Sequence, residues 1–169
     1  MMRTHVAKDI GGFDSDYGYL YEDTDISWRV WLAGYKVLYF SSLESVHMMS
    51  ATASSTYSHS RRQFMSKRNK MVTFLKNLEW VTLIRFSPIM LMVLLVELII
   101  LKPKGAIFMG NIDPFLNFKK ILKKRKEIKK FRKNTDKEIV VFFVSDHWKV
   151  IKRCIGGNLK FNSSLLKRN

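Results

Sequence analysis

Cysteine, acidic residues and any leader-like opening are scarce in this chain, and each scarcity narrows what it can be. Cys154 is the single cysteine among 169 residues. It can close no internal disulfide and has no companions at zinc-ligand spacing, which predicts a reducing compartment. Met1-Met2-Arg3-Thr4-His5 is followed by no apolar core, so no secretory signal is read there and export is not expected. No internal repeat is evident, and the aromatic platforms of sequence-reading RNA modules are absent. Asp and Glu number 14 against 30 Lys and Arg, a formal charge of +16 and a pI near 10.1. That balance calls for a polyanionic neighbour: nucleic acid, an acidic membrane surface or a phosphorylated ligand.

What is present is enough for a packed core, since 47% of the residues are hydrophobic. The length suits one modest domain, or half of a larger one with an appendage. Charge is unevenly spread. Acids crowd the start (Asp9, Asp14, Asp16, Glu22, Asp23, Asp25), whereas lysines dominate residues 102–137. Residues 1–77 read as mixed and compact, 78–138 as apolar and then polybasic helices, and 139–169 as a tail of unknown role.

Gly11-Gly12-Phe13-Asp14 reads as a turn. Thr24 or Asp25 can cap a helix through Ile26, Trp28, Arg29, Val30 and Leu32, with Gly34 as its left-handed stop. Residues 36–40 and 45–48 look strand-like, and a helix joined by glycine to a strand predicts an α/β layer. A Ser/Thr-rich connector spans residues 50–60. From Arg61 the apolar spacing turns helical, with Phe64, Met71, Phe74 and Leu75 recurring.

The run from Ile84 to Leu101 is apolar apart from Arg85, Ser87, Pro88 and Glu97. As a straight helix it would reach about 27 Å, close to a hydrocarbon core of about 30 Å. Basic residues flank it on both sides, so a simple crossing would send one flank outside, against the positive-inside tendency. Glu97 also sits within the run, where charge is costly. A helix lying in or dipping into the cytoplasmic leaflet is the favoured reading. A single span and a packed helix in a soluble core stay open. Residues 115–133 predict an apolar and basic helix, with Phe115, Phe118, Ile121, Leu122, Ile128 and Phe131 on one side. That pattern suits anionic lipid; RNA, which also attracts such charge, ranks behind it, and a solvated lysine face stays open. Residues 139–144 read as a short buried strand or an interfacial patch.

The densest signal is Gly-Gly-Phe-Asp at residues 11–14, Tyr-Glu-Asp-Thr-Asp at 21–25, Trp28-Arg29, Ala-Gly-Tyr at 33–35, and then His47. Glu22, Asp23 and Asp25 together exceed what capping needs. A helix N-terminus keeps a carboxylate ionised, and a positioned carboxylate can take a proton from an attacking hydroxyl. The ordered run resembles the C-terminal half of the catalytic domain in inverting family-2 glycosyltransferases, the rhamnosyltransferase-like branch above all. Arg68-Asn69 and Lys76-Asn77 continue the likeness, which extends loosely to Glu138.

The resemblance implies an α/β fold: the C-terminal part of a GT-A domain, followed by membrane-associated amphipathic and apolar helices. It implies inverting transfer from a nucleotide sugar to a lipid-linked or cell-surface glycan, with magnesium or manganese as cofactor. Asp23 would be the general base and Glu22 would orient the acceptor. Gly11, Gly12 and Trp28 would lie beside the acceptor, although helix packing also accounts for Trp28. Arg68 and Arg61 would balance the donor diphosphate, and His47 would approach the metal or serve as a structural histidine. The donor-binding half with its Asp-x-Asp motif is missing, so a gene fragment, a split enzyme or a displaced start is expected, inactive alone. The location expected is the cytoplasmic face of the cell membrane. The rival reading is a non-catalytic basic protein that binds membrane or nucleic acid.

Overall fold

The computed structural model describes residues 1–38 and 56–140. Seven helices run through them in chain order: α1 (Thr4–Asp9), α2 (Glu22–Leu32), α3 (His59–Asn77), α4 (Trp80–Ile100), α5 (Lys104–Leu116), α6 (Phe118–Phe131) and α7 (Asp136–Val140). The chain divides into two compact units after Asp136. The second unit is described only at residues 137–140, which continue the helix begun at Asp136.

No strand occurs among the described residues, and this overturns the GT-A expectation. A GT-A domain carries its donor site on a sheet, and β-propensity needs a ladder partner to become a strand. Lys36, Val37 and Leu38 lie exposed with no such partner. Ile139 and Val140 are helical, and the rest of that patch, like residues 39–55, falls outside the described residues. An inverting hexosyl transfer, its nucleotide-sugar donor and its glycan acceptor lose their support with the fold.

The local reasons for each helix are specific. α2 ends as its glycine predicts. Gly34 adopts φ +82°, its N–H reaches Trp31 O at 3.0 Å, and the Tyr35 N–H reaches Val30 O at 3.1 Å, which closes a Schellman motif. Its start differs from expectation. The helix begins at Glu22, before Thr24 and Asp25, and Tyr21 caps it without any side-chain bond. Leu20 and Tyr21 both take φ +70°, a costly conformation for side-chain-bearing residues. Asn69 on α3 holds them there, its Nδ2 lying 2.7–2.9 Å from the carbonyls of Tyr17, Tyr19 and Leu20. Ser58 caps α3 by accepting the Arg61 N–H at 3.2 Å.

α3 is the central helix, touching α2, α5 and α6. Its closest neighbour is α5, where Gly110 allows the approach: a Cβ there would lie 2.5 Å from Phe64 O. One apolar cluster joins Tyr17, Met71, Val72, Leu75, Leu83 and Ile121; another joins Val6, Ile10, Ile26, Val30 and Ala33. The apolar-basic helix foreseen over 115–133 is broken at Asn117, whose Nδ2 donates to Asp113 O at 3.1 Å. Phe115 and Leu116 therefore end α5 in exposed positions, while Ile121 and Ile128 of α6 are buried.

Candidate functional site

The described residues singled out from the glycosyltransferase likeness each have a local setting of their own. Asp23 is exposed, and among the described residues its carboxylate accepts from the Thr24 N–H and hydroxyl, at 2.6 and 3.3 Å. Glu22 is half-buried beside it. Trp28 is buried edge-on against Phe74, 6.0 Å between ring centroids. Gly11 and Gly12 form the left-handed turn that ends α1. Arg68 donates to Asp113 Oδ2 at 3.0 Å and to Asp16 O at 2.9 Å, and Arg61 lies over the Phe64 ring at 5.4 Å. His47 lies outside the described residues. Among those residues no three His, Cys, Asp or Glu side chains are placed to hold a metal ion, so magnesium or manganese finds no ligand set there.

The acidic start of the chain has a different use. Lys76 Nζ, on a side chain 2% exposed, lies 2.7 Å from Asp14 Oδ2 and 2.7 Å from Asp25 Oδ1. Asp25 also accepts from Arg29 Nε at 2.8 Å and from Asn77 Nδ2 at 3.0 Å. Lys120 reaches Asp16 at 2.7 Å, and Lys124 bonds both Asp14 and Asp16. Burial pushes the Asp14 carboxyl up, but hydrogen bonds from Lys124 and Lys76 outweigh it and hold the group well below the usual carboxylate range. Asp16 is depressed in the same way, by Lys120 and Lys124 against burial. The acids of one end and the lysines of the other thus meet in one internal network. Sequence reasoning missed it, although a signal exists. Asn69, Thr73, Lys76 and Asn77 fall at i, i+4, i+7 and i+8 among apolar residues of α3, a polar stripe on its buried face.

Among the described residues, the exposed surface includes a long apolar helix and several lysines without an ion pair. α4 is 21 residues, long and apolar enough to cross a membrane by length and composition. Leu83 is its only buried residue, while Val81, Ile89, Met92, Val96 and Ile99 are all exposed. Among the described residues this largely apolar helix is left uncovered, with Arg85 as an exposed charge on the same side as Val81, Ile89 and Met92, and such a surface is unusual in water. Both ends of α4 are tied to α3. Near its start Leu83 packs with Met71 and Leu75; near its end Glu97 accepts from Lys67 at 3.0 Å and Lys70 at 2.7 Å. Just beyond, His59 Nε2 lies 3.0 Å from Lys102 O. Between the ties runs an apolar groove of about 630 Å³, with Leu83, Met90, Leu94, Ile112, Phe115 and Phe118 among its walls.

Trp80 also borders a second groove, of about 700 Å³, on the α6 side. Arg125 stacks over the Trp80 ring at 4.0 Å and donates to Leu78 O at 2.7 Å, which fixes the start of α4 against α6. Lys119, Lys123, Lys126 and Lys129 line this groove, exposed. None of them hydrogen-bonds or ion-pairs with a described residue, unlike Lys120 and Lys124 on the other side of the same helix.

Comparison with known proteins returns nothing: no family model, no curated protein and no solved structure matches the chain. The described residues define a class by their own features, a basic helical unit with an uncovered apolar helix beside an unpaired lysine face.

Proposed function

We propose that this chain is a non-catalytic, basic membrane-binding protein. In this reading α4 lies in the interfacial zone of the cytoplasmic leaflet while the α6 lysines meet anionic headgroups. The observation that carries it is the exposure of α4, whose outward residues Val81, Ile89, Met92, Val96 and Ile99 have no covering layer among the described residues; Arg85 shares that face, and its long side chain can reach the headgroup level. Burying them in the acyl boundary recovers the hydrophobic stabilisation that water denies, roughly 25 cal/mol per Å².

The two ties to α3 favour an in-plane helix over a crossing one. At 1.5 Å per residue α4 reaches about 32 Å, enough to span. A crossing, however, would carry Glu97, Lys67 and Lys70 into hydrocarbon together with the polar face of α3, since the three are bonded. Lying flat, the helix keeps that ion triplet on the protein side. Leu83, Ser87, Met90, Leu94 and Glu97 then share the inward stripe, at successive intervals of three and four residues. Trp80 at one end suits the headgroup level.

The test is vesicle flotation beside RNA retention at matched salt. The expected result is flotation with vesicles containing an anionic lipid and little retention of RNA. Strong RNA retention without flotation would transfer the lysines to nucleic acid and end the membrane reading.

A further inference from the structure

Two grooves of opposite chemistry share one wall, Trp80. On one side, the apolar groove makes almost no polar demand: the Ser87 hydroxyl donates to Ile84 O at 2.8 Å and the Asn111 amide to Ile107 O at 2.9 Å, so both polar side chains bordering it are already bonded. Its remaining walls are thioether, aliphatic and aromatic. On the other side, Lys119, Lys123 and Lys126 recur at i, i+4 and i+7 and make no hydrogen bond or close ion pair with a described residue, although Lys123 feels the Glu127 charge and Glu79 also borders the groove. The fixed guanidiniums nearby are occupied, Arg125 on backbone carbonyls and Arg132 on Asp136 and Asn77 O.

We infer that a single anionic phospholipid seats across Trp80, with a hydrocarbon chain in the apolar groove and its phosphate on Lys119, Lys123 and Lys126. This deepens the membrane reading and rests on it: the surface would dock on a bilayer and also hold one lipid by shape. A phosphomonoester headgroup suits the site best, because it carries close to two negative charges near neutral pH and accepts several hydrogen bonds. The lysine stripe supplies the charge and the groove supplies apolar walls. Neither half alone tells a lipid from a free phosphate or from an uncharged amphiphile; the two together do.

The test uses the full chain and short-chain lipids kept below the concentration at which they form micelles, read by titration calorimetry. Dioctanoyl phosphatidic acid should bind about tenfold or more tightly than dioctanoyl phosphatidylcholine, and inorganic phosphate should not displace it. Lys119→Glu with Lys123→Glu, both on exposed positions, should erase that preference. Ser87→Trp, which narrows the apolar groove from its exposed rim, should weaken both lipids while leaving the preference between them. Equal binding of the two lipids, or displacement of phosphatidic acid by inorganic phosphate, would overturn the seat. Flotation of the same protein on phosphatidic acid vesicles separates the two layers of the account. Flotation without monomer binding overturns the seat and leaves the membrane reading standing. Absence of flotation removes the reading on which the seat rests.

Discussion

Lys70 Nζ lies 2.7 Å from Glu97 Oε1, and this bond joins the middle of α3 to the far end of α4. Lys67 shares the same oxygen at 3.0 Å, so one carboxylate is the shared counter-charge of two largely buried ammonium groups. Glu97→Gln should therefore leave both lysines without their counter-charge. Backbone hydrogen exchange over residues 90–100 is expected to accelerate while that over α6 stays unchanged. Unchanged exchange near residue 97 would show that the tie does not hold the helix.

The Asp25 network predicts a larger effect. Asp25 is 0% exposed and Arg29 5%, with Lys76 at 2% beside them. Asp25→Ala removes the carboxylate paired with buried Arg29 and leaves Lys76 with Asp14 as its counter-charge, and breaking a buried pair in this way typically costs about 3–5 kcal/mol. A urea midpoint should fall accordingly. Asp23→Ala, two residues earlier and exposed, should stay within about 0.5 kcal/mol of the parent.

Acid should act through Asp14 and Asp16. Their folded carboxyls titrate below the ordinary aspartate value of 3.8, so the folded state binds fewer protons than the unfolded one there. The stabilisation is complete above the ordinary aspartate range and is lost as pH falls through it toward the depressed folded values. Thermal midpoints should thus hold steady from neutral pH down to about pH 5 and then drop steadily as acid is added. Asp14→Asn should lower the plateau and flatten that drop. An equally steep drop in the variant would remove Asp14 from the account.

How much of this was legible beforehand differs element by element. Gly34 foretold the end of α2 because a left-handed stop is a local matter of one residue's backbone. The helical spacing from Arg61 likewise foretold α3. The α/β layer failed because it rested on β-propensity in residues 36–40, a property that counts only when another strand supplies hydrogen bonds. Asp25 was read as a cap, since a carboxylate near a helix start is favourable by itself. Its actual partner, Lys76, comes from far along the chain, and no local pattern announces such a pairing. The apolar run was legible, but the ties through Glu97 and Lys102 that lay α4 along α3 were not.

Gly110 offers a test of packing independent of charge. Alanine favours helices over glycine by roughly 1 kcal/mol, so an unconstrained site would gain stability. Here the added Cβ would meet Phe64 O at 2.5 Å and Lys67 Cβ at 3.0 Å, which forces α5 away from α3. Gly110→Ala is expected to destabilise by about 1–3 kcal/mol in urea unfolding. A stabilised variant would mean the two helices are not packed so closely.

The measurement that bears most directly on the membrane claim is flotation of the parent chain against a variant with Ile89→Asp and Val96→Asp on vesicles containing anionic lipid. Both positions are exposed, 51% and 45%, so the fold loses little packing, and circular dichroism should show the helices retained. The parent should float, added salt should weaken but not abolish its flotation, and the variant should stay with the soluble fraction. Equal flotation of parent and variant would contradict the claim, because the lysines alone would then account for binding and α4 would have no part in it.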